Sequence, residues 1–116
     1  MPEIAFVRSA KSKYGNQLRV KIRFGNYETY ALVDTGCTEN FVSQEVLDKA
    51  GLKPKQLPRP RSVVLFDGKT HGHTTYYLPQ LPVVIAGQQQ KVNFVVNPWA
   101  KYGAALGYPW FTENIE

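Results

Sequence analysis

The sequence predicts an all-β domain of short strands joined by tight turns. Three observations lead there. Residues 18–24 (Leu-Arg-Val-Lys-Ile-Arg-Phe) alternate apolar and basic at every step, the period of a strand with one buried and one wet face. Glycine-containing turns at Gly25-Asn26, Asp67-Gly68 and Ala86-Gly87 each separate two such runs. A single stretch, residues 43–50, carries clear helical spacing. With 116 residues and no break in composition, the chain reads as one domain spanning 1–116.

Taken in order, residues 4–10 form a candidate first strand and 11–17, with Gly15-Asn16, a polar turn. Residues 18–24 and 27–33 then make a hairpin about Gly25-Asn26, and its second strand stops at Asp34. In 43–50, Ser43 is a capping residue, Glu45 is an early acid, and Val46, Leu47 and Ala50 fall at helical spacing. Gly51 supplies the left-handed stop. Residues 53–61 hold three prolines, too many for a sheet interior, and read as an exposed extended connection. Residues 62–66 and 70–78 flank Asp67-Gly68-Lys69 as a second hairpin, and 81–85 and 91–96 flank Ala86-Gly87 as a third. Ala104-Ala105-Leu106-Gly107 is a late apolar segment. No internal repeat interrupts the pattern.

Charge and cysteine content bound the function. The net charge is +5, with a basic cluster at Lys53, Lys55, Arg59 and Arg61. No aromatic residues are interleaved with these charges as a stacking platform requires, so a solvated loop is expected and nucleic acid is not the expected partner. A lone Cys37 forms no internal disulfide, and no signal peptide is evident, so a reducing, cytoplasmic interior is expected. The apolar runs are too short to cross a bilayer as helices, and a soluble, membrane-free protein is expected.

The chemistry concentrates at Asp34-Thr35-Gly36. An apolar strand (Tyr30-Ala31-Leu32-Val33) delivers a carboxylate into a turn, with a small hydroxyl beside it and a glycine that admits close backbone approach. A plain strand-end turn is the alternative reading of such a tripeptide. His71 and His73 have chelating spacing, but with no carboxylate or thiol nearby they do not complete a zinc set, so no metal and no cofactor is expected. No Cys-His or Ser-His pair suggests covalent catalysis.

The blocks "ALVDTGCTENFVSQEVLDKAGL", "VVLFDGK" and "AALGYPWF", in that order, resemble the retropepsin family, most closely the proteases of gypsy-type LTR retrotransposon polyproteins. The resemblance covers about residues 18–111. It implies a closed acid-protease β-barrel with one or two short helices and a flap hairpin. It also implies an aspartic endopeptidase that cleaves an extended retroelement Gag-Pol polyprotein. Asp34, Thr35 and Gly36 match the catalytic motif: Asp34 as the carboxylate, Thr35 as the hydroxyl that locks two loops across a dimer axis, and Gly36 as the bare backbone at the substrate. Cys37 and Thr38 follow at the substrate groove, and Phe66, Asp67 and Gly68 match the flap tip over the substrate. Gly107 matches a close crossing beside the loop.

Acid proteolysis uses two carboxylates sharing a proton, and neither Asp48 nor Asp67 is followed by Thr-Gly or Ser-Gly. The second carboxylate is therefore expected from an identical subunit across a two-fold axis, making a homodimer the active form. The chain departs from retroviral members in three places. Cys37 stands where alanine is usual and is expected to fill a small pocket rather than react. Thr38 and Tyr108 stand where those members carry an ion pair. Only residues 112–116 follow Trp110-Phe111, so a weaker dimer, a different interface or a segment cut from a longer polyprotein is expected. A domesticated or inactive retropepsin-like domain, dimerising or binding peptides without cutting them, is the alternative function.

Overall fold

The computed structural model describes residues 18–34, 36–64, 71–98, 100 and 103–114. The expected strand at 4–10, the turn at 11–17 and the hairpin tip with Phe66, Asp67 and Gly68 lie outside the described residues, as does Thr35. Strands β1 (Leu18–Phe24) and β2 (Tyr27–Val33) form the first hairpin, paired from Leu18 opposite Val33 to Phe24 opposite Tyr27. Val20, Ile22 and Phe24 are buried while Lys21 and Arg23 face solvent, the partition that the alternation predicts.

A short β3 (Phe41–Ser43) leads into α1 (Gln44–Ala50). Ser43 caps this helix by accepting the Val46 N–H on its hydroxyl at 3.2 Å, and Gly51 ends it in the left-handed region at φ 66°. β4 (Lys55–Val64), β5 (His71–Ile85) and β6 (Gln88–Asn97) follow as a meander. β7 (Ala104–Leu106) then inserts between β2 and β3, and α2 (Tyr108–Asn114) begins directly after Gly107.

The sheet order is β1-β2-β7-β3-β6-β5-β4, and β1 also pairs with β5. Six strands therefore close into a barrel, with β4 appended outside the ring on β5. Together with the two short helices, this is the mostly β, closed architecture that the resemblance implies.

Two expectations change. From Lys55 on, the proline-rich stretch is part of β4 rather than a connection, because its ladder with β5 breaks between Gln56 and Arg61 and Pro58 and Pro60 occupy the break, where no N–H is required. The strands expected at 70–78 and 81–85 are, over the described residues from His71 on, one strand, β5, interrupted by a bulge between Leu78 and Leu81 in its pairing with β6. Gln80, at φ 49°, absorbs the extra residue, and its N–H is taken up by Asn93 Oδ1 at 2.7 Å.

Apolar side chains divide into two clusters because the central strands are buried on both faces. Val42, Phe94, Val96, Ala104 and Leu106 join Val20, Ile22, Phe24, Ile85 and Trp110 in the barrel core, where Phe24 and Phe94 pack with ring centroids 5.7 Å apart. Their sequence neighbours Phe41, Val95 and Ala105 point the other way, into a smaller cluster with Cys37 and Val63. This period-two division explains why 41–42, 95–96 and 104–106 read as continuous apolar runs.

Ser43→Ala removes the cap of α1 and is expected to lower unfolding free energy by about 1 kcal/mol with an unchanged denaturant slope, as read from a urea titration.

Candidate active site

Asp34 sits one residue beyond β2, where the strand is clamped from its neighbour: the Asp34 N–H donates to Leu106 O at 2.9 Å. β2 and β7 run parallel here, with Val33 opposite Leu106, so the carboxylate leaves the sheet beside the end of β7. The turn that follows closes on itself through the Cys37 N–H, which donates to Asp34 O at 3.0 Å. Gly36 donates its N–H to Asp34 Oδ1 at 3.0 Å and is itself exposed.

The Asp34 residue is only 5% exposed, and among the described residues Oδ2 has no hydrogen-bond partner. Burial pushes its carboxyl up from the ordinary value of 3.8, and the Gly36 N–H works against that rise. The arrangement is a carboxyl held by one oxygen and unpaired at the other, biased toward keeping its proton into less acidic solution.

The loop is pressed between two chain segments. Gly107 lies so close that a Cβ built on it would stand 2.4 Å from Glu39 O and 2.7 Å from Cys37 O. Immediately after it, the Tyr108 N–H donates to Cys37 O at 2.9 Å. Asn40 ends the loop with a buried amide that the motif alone does not point to. Its Oδ1 accepts from Gly107 N–H at 2.9 Å and Trp110 N–H at 3.3 Å, while its Nδ2 donates to Asn93 O at 3.1 Å. Its main-chain oxygen accepts the Val95 N–H at 2.9 Å.

Cys37, expected at the substrate groove, is fully enclosed by the smaller cluster, with Sγ donating to Glu39 O at 3.1 Å. Burial pushes its thiol up to about 11, so at neutral pH it is a packed, protonated side chain. Thr38 is exposed beside it, and Tyr108 is exposed on the far side of Gly107. The basic cluster is tied to the site at one point, because Arg61 on β4 pairs with Glu39 at 3.1 Å. Among the described residues no group of three His, Cys, Asp or Glu side chains converges as a metal set. The cavity lined by Arg23, Pro82, Val84 and Lys91 includes none of the 34–40 loop.

This fold is shared with the crystal structure of the retroviral protease-like domain of Ddi1 from Leishmania major, which superposes with a TM-score of 0.66 at 15% sequence identity, covering 84% of this chain and 74% of that one. Fold and family match together make the chain a retropepsin-like domain. The family model of the PEG10/RTL1 protease domain matches residues 30–114, from the end of β2 through α2, and the chain belongs to that family. Comparison with curated protein sequences finds no match.

Two outcomes follow from this geometry. Well below pH 3.8 Asp34 is neutral both folded and unfolded. As pH rises, the unfolded chain ionises first, and the folded state loses stability until its own raised value is passed. Asp34→Asn imitates the protonated form, so it is expected to raise the thermal midpoint at neutral pH and leave it unchanged near pH 3, as seen by calorimetry at both pH values. Gly107→Ala forces a Cβ onto two carbonyl oxygens, and a loss of about 1–3 kcal/mol is expected in chemical denaturation.

Proposed function

We propose that the chain is an aspartic endopeptidase of retropepsin type, active as a homodimer in which two copies of Asp34 face each other. The observation that carries the reading is the Asp34 carboxyl itself: buried at a strand end, fixed through Oδ1 by the Gly36 N–H, and with no hydrogen-bond partner at its buried Oδ2 among the described residues. One such group per chain supplies half of a dyad, so the partner's copy completes the site.

In the dimer one carboxyl is ionised and the other protonated, since two negative charges at close range are costly. The ionised Asp34 takes a proton from a water held between the pair as the water oxygen bonds to the peptide carbonyl carbon. The protonated Asp34 donates to the carbonyl oxygen and stabilises the charge that develops there. A proton then passes to the amide nitrogen as the carbon–nitrogen bond breaks.

Thr35 is assigned the contact across the axis, Gly36 and exposed Thr38 the substrate main chain, and the segment with Phe66, Asp67 and Gly68 the covering flap. Cys37 supports the loop from behind. The substrate is an extended polypeptide with apolar side chains flanking the scissile bond, and a retroelement Gag-Pol polyprotein is the proposed source, within an intracellular compartment.

The test is cleavage of polyprotein-derived peptides from acidic to neutral pH. Activity is expected to rise faster than linearly with enzyme concentration and to vanish in Asp34→Asn. Sedimentation showing a folded dimer with no cleavage at any pH would replace this reading with a domain that binds or dimerises without cutting.

A further inference from the structure

We propose that Asn40 is a positioning residue for the Asp34 carboxyl: its side-chain amide fixes the 34–40 loop in register with Gly107, α2 and β6. The inference rests on the protease reading only for its activity readout. The geometry is independent of it.

Asn40 is 5% exposed and uses both ends of its amide. Oδ1 accepts two N–H groups, Gly107 and Trp110, at the start of α2, donors that helix geometry leaves without partners inside the helix. Nδ2 donates to Asn93 O on β6, and the Asn93 side chain in turn holds the Gln80 bulge of β5. A side chain must therefore accept at one end and donate at the other, which aspartate in its ionised form and leucine do not.

Gly107 is the residue through which this reaches Asp34. The residue before it, Leu106, accepts the Asp34 N–H, and the residue after it, Tyr108, donates to Cys37 O. The Asn40 amide thus pins the midpoint of a three-residue stretch whose two ends grip the loop that carries the carboxylate. If the amide is removed, the Gly107 N–H, Trp110 N–H and Asn93 O lose their partner, and the loop loses the bond that sets its height above β7.

Asn40→Asp tests this without changing the shape of the side chain. While the introduced carboxyl is protonated, it donates to Asn93 O and accepts from Gly107 and Trp110, as the native amide does. Once ionised, it sets a carboxylate oxygen against the Asn93 carbonyl oxygen. The charged groups on the surrounding elements are Asp34 and Glu39 on its own loop, Arg61 on β4 through Glu39, Lys91 on β6 and Glu113 on α2; β7 carries none. All are present in both proteins, so the variant kcat is read as a ratio to the wild type at each pH, and the effect of the added charge on the Asp34 carboxyl is read separately through the Gly36 amide.

That ratio is expected to be near one at acidic pH and to fall about 10–100-fold toward neutral pH, with KM changed far less; Asn40→Ala is expected to be low by a similar factor at every pH. A ratio independent of pH, or wild-type kcat in Asn40→Ala, would overturn the proposal. Amide NMR of the folded protein separates this from failure of the protease reading. In Asn40→Asp the Gly36 amide, donor to Asp34 Oδ1, is expected to shift with the same midpoint as Gly107 and Trp110, beyond its movement in the wild type. If Gly107 titrates while Gly36 does not follow, the positioning role is refuted whether or not the protein cleaves. If Gly36 follows in a protein that cleaves nothing, the positioning role stands and the protease reading falls.

Discussion

The close crossing of Gly107 over the 34–40 loop is the constraint on which the rest of the structure depends. Main chain meets main chain there, with room for a hydrogen and no more. β7, Ala104–Leu106, threads between β2 and β3, and the turn out of it can pass the loop because Gly107 has no side chain. The ring of strands closes through that insertion. The position of Asp34 is fixed by the same insertion, since its N–H is bound to the last residue of β7.

A carboxyl in such a place is a cost to the fold and an asset to chemistry. Its desolvation raises the free energy of the charged form, and one backbone donor offsets that only in part. Sites of this kind commonly hold a group that the fold would be more stable without, and the surrounding scaffold carries the difference. Here the scaffold includes a double-sided core, in which β3, β6 and β7 are buried on both faces. The carboxyl therefore stands beside strands packed on both faces.

Features governed by near neighbours are legible in the sequence. The alternation of 18–24, the Gly25-Asn26 turn, the Ser43 cap and the Gly51 stop all appear where local chemistry puts them. The prolines of β4 mislead because a bulged strand outside the barrel does not need the donors that prolines lack. β5 reads as two strands because Pro79 and Gln80 look like a turn, whereas pairing with β6 carries the strand through them. Asn40 leaves no local trace. Its partners lie 53, 67 and 70 residues away, and a single polar residue before a strand carries no sign of such partners.

Closing six strands into a ring leaves β4 as the described strand with an open edge. That edge is poorly suited to templating. Pro58 and Pro60 offer no donor, a bulge breaks its line, and Lys55, Arg59 and Arg61 are exposed along it. Two copies brought together along β4 would find gaps in the ladder, with Lys55 and Arg59 adding like charge at the contact. The bulged segment thereby makes the open edge a poor template for another strand, a consequence unrelated to any chemistry at Asp34.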